Sequence, residues 1–259
     1  MHFPEIDPVF LRLGPLEFRW YGMMYIIGFV AGYFIILHRA RRRGLPLVSD
    51  DVADLIFSLA VGVVLGGRLG YVLFYNLAYY ATHPLKVFAV WEGGMSFHGG
   101  TLGAITGAVL YARRNRMPFF QLADLVVPAA PVGLFFGRIG NFINGELFGR
   151  VTHVPWGMVF PGGGPLPRHP SQLYEAVLEG PVLLLTLLLV EKRVKGEGVV
   201  FWSFIAGYGL FRFLVEFFRE PDAHLGFVLG IFSRGQLLSF PMFLAGIILA
   251  WYAAYRHRG

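Results

Sequence analysis

The stretch "ADLVVPAAPVGLFFGRIGNFINGELFGRVT" (residues 123–152) decides how the chain is read. Its first half is apolar enough to sit in the hydrocarbon core of a bilayer. Its second half sets Arg138, Asn141, Asn144 and Glu146 among glycines. A solvated loop would be richer in Ser and Lys. A plain membrane span would carry no arginine, which costs at least a few kcal/mol at bilayer depth. The combination reads as the end of a span that closes around something charged.

Outward from this stretch the rest of the chain has the same character. Its 259 residues are 56% hydrophobic and only 15% charged, far less charge than a soluble domain carries. The apolar residues fall into seven runs, at about 19–38, 52–75, 95–112, 121–140, 173–190, 198–219 and 236–255. Each is near the roughly 20 residues that an α-helix needs to cross a membrane. The expected fold is an all-α integral membrane protein of seven transmembrane helices, a single polytopic membrane domain over 1–259. Its N-terminus lacks the basic start and small-residue site of a cleaved signal peptide, so the first run is expected to remain as a span.

Basic residues set the direction. Arg39, Arg41, Arg42 and Arg43 follow span one, and Arg113, Arg114 and Arg116 follow span three. Lys192, Arg193 and Lys195 follow span five, and Arg256 and Arg258 follow span seven. All four clusters share one side, which the positive-inside rule makes cytoplasmic. The N-terminus is then outside and the C-terminus inside. A polar outer-face segment, about 141–172, lies between spans four and five. The net charge of +6 belongs to these loops and does not call for nucleic acid. There is no cysteine, hence no disulfide and no cysteine nucleophile.

Small residues at four-residue spacing, Gly62, Gly66 and Gly70 in span two and Gly99, Gly103 and Gly107 in span three, predict close helix packing. The scattered polar residues need another account. Arg138 lies at the outer end of span four. Tyr208, Arg212, Glu216 and Arg219 fall at i, i+4, i+8 and i+11 and make one stripe along span six. His98, in "GGMSFHGG", and Tyr21, in "RWYG", lie near the outer starts of spans three and one. Four spans thus place polar groups at one depth. Each has a plainer reading: Arg212 and Glu216 as a structural ion pair, Tyr21 as an interfacial aromatic, His98 bonded to backbone, Arg68 as a packing residue, Asn141 and Asn144 as helix caps, Arg168 and His169 as loop structure.

Two arginines in a low-dielectric pocket favour an anion, and planar guanidinium groups suit phosphate. In a membrane that anion is a phospholipid head group. A nearby imidazole can take a proton near neutral pH. No metal is expected, because no H-E-x-x-H or equivalent ligand spacing occurs. A serine nucleophile is not expected either, because Ser96 and His98 point to different faces of a helix and no G-x-S-x-G is present. From the residues alone the function is phospholipid binding at the outer face, with catalysis left open.

Residues 137–151, "GRIGNFINGELFGRV", resemble the signature of bacterial prolipoprotein diacylglyceryl transferases. The resemblance continues through "HFPEIDPVF" (2–10), "RWYGMMY" (19–25), "GGRLGYVLFYN" (66–76), "GGMSFHGG" (93–100), "LPRHPSQLYEA" (166–176) and "GYGLFRFLVEFFREPD" (207–222). It implies transfer of a diacylglyceryl group from phosphatidylglycerol to the lipobox cysteine of a prelipoprotein, at the outer side of the bacterial inner membrane. A thioether forms and glycerol phosphate leaves; no cofactor is implied. It also implies His98, Arg138 and Arg212 as the reactive set. Asn141, Glu146 and Gly149 would shape the head-group pocket, and Tyr21, Tyr208 and Glu216 would orient the arginines or the lipid. The competing expectation is a phospholipid transporter or flippase that binds anionic lipid without transfer chemistry.

Overall fold

A computed structural model describes residues 1–14, 16–220, 227–228 and 232–257. Arg258 of the last basic cluster, and Pro221 and Asp222 of the resemblance, lie outside them. A hairpin of β1 (Val9–Leu13) and β2 (Leu16–Arg19) leads into α1 (Trp20–Arg42), α2 (Ser49–Tyr75), α3 (Leu77–Thr82) and α4 (Phe97–Arg114). Then come α5 (Phe119–Val126), α6 (Ala130–Ile143), α7 (Ser171–Val177), α8 (Leu183–Arg193) and α9 (Val199–Val215). A two-residue pairing, β3 (Phe227–Val228) with β4 (Phe232–Ser233), precedes α10 (Arg234–Arg256).

Among the described residues, five helical stretches are long and apolar enough to cross a bilayer: Trp20–Arg42, Ser49–Tyr75, Phe119–Ile143, Ser171–Arg193 and Gly235–Arg256. At 1.5 Å per residue, the 23 residues of α1 reach about 35 Å, enough for a hydrocarbon core of about 30 Å. Val199–Val215 is apolar but shorter. α4, with its glycines, His98 and terminal arginines, is less apolar than these. The protein is therefore an all-α, multi-pass membrane protein.

The chain forms two compact units. One comprises Ile36–Leu125. In it α2 and α4 approach along the predicted small-residue faces. A Cβ on Gly62 would strike the Gly103 backbone, one on Gly66 the Gly99 carbonyl, and one on Gly107 the Ser58 carbonyl. Ser58 Oγ uses this closeness to donate to the Gly107 carbonyl (3.1 Å). Arg39 does more than mark topology. It is buried and donates to the carbonyls of Asp124 (3.1 Å) and Leu125 (3.2 Å), acceptors that the end of α5 leaves without helical partners. Arg68 is buried too. It donates to backbone carbonyls between Lys86 and Gly94, so it is a packing residue rather than part of an anion site.

The other unit comprises Met1–Ile35 and Val126–Gly259. Val127, Leu183, Leu187 and Val200 form its core, with Phe204, Tyr208 and Phe211 packed against them. Between α7 and α8 the helix widens into a π-turn at Leu178–Val182, where Gly180 leaves helical geometry (φ −95°, ψ −108°) and Pro181 brings no N–H. Gly180 is required there, since a Cβ would lie 2.8 Å from Phe135 Cβ. Residues 144–170 run through turns with left-handed Gly145 (φ 66°) and Leu147 (φ 56°). The N-terminus closes over this segment: Phe3 N–H donates to the Val159 carbonyl (3.2 Å), and the Phe3 ring packs on Phe142 and Phe160.

Candidate active site

α6 carries Arg138 one turn before its C-terminal end. α7 carries Glu175, and the π-turn carries Glu179. α9 carries Arg212, and the turn after it carries Glu216 and Arg219. These side chains meet inside the second unit. Arg138 Nε lies 2.6 Å from Glu175 Oε2 and 3.3 Å from Glu179 Oε2. Arg212 Nη1 lies 3.1 Å from Glu175 Oε1, and Nη2 lies 3.0 Å from Glu216 Oε2. Arg219 Nη1 stands 3.9 Å from Glu175 Oε1. Glu175 is thus a bridge: one oxygen faces Arg138 and the other faces Arg212.

The stripe predicted along span six is present, and its Arg212–Glu216 pair forms at i, i+4. The helix that bears it is shorter than expected. α9 ends at Val215, and a turn held by Phe218 N–H to the Val215 carbonyl (2.8 Å) carries the remaining residues. Glu175 and Glu179 were not singled out from sequence. Their signal was present all the same: two carboxylates four residues apart, in "SQLYEAVLEGPV", enter an apolar span. Carboxylates so placed need cations, as the arginines need anions.

The pairings engage Arg138 through Nε and Nη2 and Arg212 through Nη1 and Nη2. Among the described residues, Arg138 Nη1 and Arg212 Nε have no partner. Each guanidinium therefore keeps an N–H for a further acceptor, while its orientation is fixed by carboxylates. Tyr208 packs in the same core, stacked on Phe204 (centroids 6.1 Å).

A second group surrounds the end of α6. Asn141 Nδ2 and Asn144 Nδ2 both donate to Glu146 Oε1 (2.9 and 3.2 Å). Gln172 Nε2 donates to the Glu146 carbonyl. Tyr21 shares a hydroxyl contact with Tyr25 (3.0 Å). Its ring fills the space over Gly140, where a Cβ would lie 2.9 Å from Tyr21 Cδ2. Gly149 is hemmed in by the Phe218 carbonyl and His169, and its N–H donates to the His169 carbonyl (2.8 Å). Arg150 ties the same strand to the arginine turn, donating to the Arg219 carbonyl (2.8 Å). Gly149 of the signature is thus a place where backbone meets backbone, and Gly140 one where a tyrosine ring lies against it. Burial holds the His169 imidazole below the usual histidine range.

His98 belongs to the first unit, in the first turn of α4, with an exposed side chain. The structure therefore brings together Arg138, Arg212, Glu216 and Tyr208, and around the end of α6 Tyr21, Asn141 and Glu146, with Gly149 in the following segment. The cleft of about 410 Å³ lined by His2, Phe3 and Val159 shares no lining residue with the arginine cluster, and the buried charge makes the cluster the stronger candidate.

The fold and the site define a multi-pass membrane protein that buries paired, carboxylate-held arginines. Residues 8–252 match the family described as prolipoprotein diacylglyceryl transferase. A phosphatidylglycerol–prolipoprotein diacylglyceryl transferase of Geobacter sulfurreducens is 70% identical over 259 residues, covering all of both chains. Proteins of the same name from Vibrio vulnificus and Photobacterium profundum are 54% and 53% identical, over 96% and 97% of this chain and 92% and 94% of theirs. The chain belongs to the prolipoprotein diacylglyceryl transferase family.

Proposed function

We propose that this enzyme moves a diacylglyceryl group from phosphatidylglycerol to the lipobox cysteine of a prelipoprotein. The new bond joins the cysteine sulfur to the glyceryl carbon. The bond from that carbon to the phosphate oxygen breaks, glycerol phosphate leaves, and the thiol proton is given up. Family membership supports this reaction over lipid transport without transfer. The observation that carries the site assignment is the pair of buried arginines, joined by Glu175, each with an N–H to spare.

Arg138 and Arg212 hold the lipid phosphate and stabilise the charge that develops as it departs. His98 takes the thiol proton or positions the thiol. A free thiol has a pKa of about 8.5 and gains from such help. Tyr21, Asn141, Glu146 and Gly149 shape the head-group side, and Tyr208 and Glu216 orient the arginines. The chain crosses the bacterial inner membrane seven times as one membrane domain, N-terminus outside and C-terminus in the cytoplasm. Residues 141–172 form its outer face, and substrate is met on the periplasmic side. The absence of cysteine in the chain suits a reaction whose nucleophile belongs to the substrate.

Arg138→Gln and Arg212→Gln test the assignment. Each should slow transfer roughly 100-fold or more, the scale of losing one fixed transition-state donor. Transfer near the wild-type rate in folded Arg138→Gln protein would refute it.

A further inference from the structure

We infer that Arg68 is a positioning residue for His98, a role that rests on the reading of His98 as a reacting group. Arg68 sits in α2 with a relative exposure of 3%. Its guanidinium makes no ion pair among the described residues. It serves instead as a hub for main-chain acceptors: Nε donates to the Val87 carbonyl (2.8 Å), Nη1 to those of Gly93 and Gly94 (3.2 Å to Gly94), and Nη2 to those of Lys86 and Ala89 (3.0 Å to Ala89). The Tyr80 ring covers the guanidinium carbon at 5.1 Å. An arginine that spends its donors on five carbonyls of one segment is fixing the course of that segment.

The segment leads directly into the turn that bears His98. Gly93 and Gly94 take left-handed conformations (φ 83° and 77°), so the chain reverses where Arg68 holds it. Two residues later Ser96 N–H donates to the carbonyl of Gly67 (2.8 Å), the neighbour of Arg68. Ser96 Oγ then caps α4 by accepting from Gly99 N–H (3.2 Å), and Gly99 lies against the Gly66 backbone. Gly66, Gly67 and Arg68, three successive residues of α2, therefore hold Gly99, Ser96 and Gly93–Gly94. His98 stands within that held stretch. The backbone that carries the imidazole is anchored on both sides of His98. Lysine, with three donors on one nitrogen, cannot serve carbonyls spread along Lys86–Gly94.

The test uses purified full-length Arg68→Lys, with His98→Gln in parallel, in a transfer assay with phosphatidylglycerol and a cysteine peptide. Misplacing a reacting group by about 1 Å costs up to about 100-fold. Arg68→Lys should therefore lower kcat at least about tenfold, leave the KM for phosphatidylglycerol within about threefold, and move the pH at which the rate rises. If Arg68→Lys does not fold, Gly94→Ala takes its place, because its Cβ would lie 3.0 Å from Arg68 Nη1 and 2.6 Å from Tyr71 Cε1. Wild-type kcat in a folded variant, or a loss with an unmoved pH profile, would overturn the inference. Wild-type activity in His98→Gln would instead overturn the reading of His98 beneath it.

Discussion

Glu175 and Glu179 show how single residues make an intramembrane arginine tolerable. Glu175 is 1% and Glu179 0% exposed, so neither can rely on water for its charge. Removing one partner of a buried pair costs about 3–5 kcal/mol, because the other charge is left uncompensated. Glu175→Gln takes a partner from two arginines at once, leaving Arg138 with Glu179 and Arg212 with Glu216, whereas Glu179→Gln takes one from Arg138 alone. Thermal unfolding in detergent should therefore show a larger loss for Glu175→Gln than for Glu179→Gln. Equal losses would mean that Glu175 does not bridge. At His169 the sign of a pH effect is also fixed. Burial holds its folded-state pKa below the ordinary value of about 6.5. The stability gained from its neutral form, beside Tyr174 Oη (3.1 Å) and the Phe218 ring (5.2 Å), is complete above about pH 6.5. It is lost as the pH falls below that, because the unfolded chain takes up the proton first. His169→Gln should flatten the decline of thermal stability between about pH 7 and 5.

At the scale of elements, the glycine faces of α2 and α4 make the sharpest claim. Gly103→Val places carbon where the Gly62 carbonyl stands, whereas a Cβ on Gly100 meets nothing closer than 3.5 Å. Gly103→Val should cost about 1–3 kcal/mol or more from overpacking, and Gly100→Ala should be near neutral, both read by thermal unfolding. This pairing was legible in sequence because four-residue spacing puts small residues on one face. So was the stripe through Arg212, since its spacing is helical. The π-turn at Leu178–Val182 was not. Gly180-Pro181 marks a break, but nothing local says that the helix widens and delivers Glu179 to Arg138. Glu175 and Glu179 escaped notice because their meaning lies in partners 37 and 41 residues away. Arg39, counted only as a topology signal, turned out to be a buried donor to the end of α5, a role its neighbours Arg41 and Arg42 do not advertise.

For the whole molecule, a chain without cysteine makes each introduced thiol a unique reporter of sidedness. Trp156, half exposed between α6 and α7, and Lys195, exposed after α8, lie on opposite sides of the proposed membrane arrangement. Trp156→Cys should react with an impermeant maleimide in spheroplasts, and Lys195→Cys only after permeabilisation; the reverse pattern would invert the orientation. The central claim is the chemistry itself. Its most direct test is a single-turnover reaction of the purified protein with phosphatidylglycerol and a lipobox peptide, read by peptide mass beside a Cys→Ser control. Gain of one diacylglyceryl mass on the cysteine peptide alone is the predicted result. An unchanged cysteine peptide, with phosphatidylglycerol bound to folded protein, would contradict it.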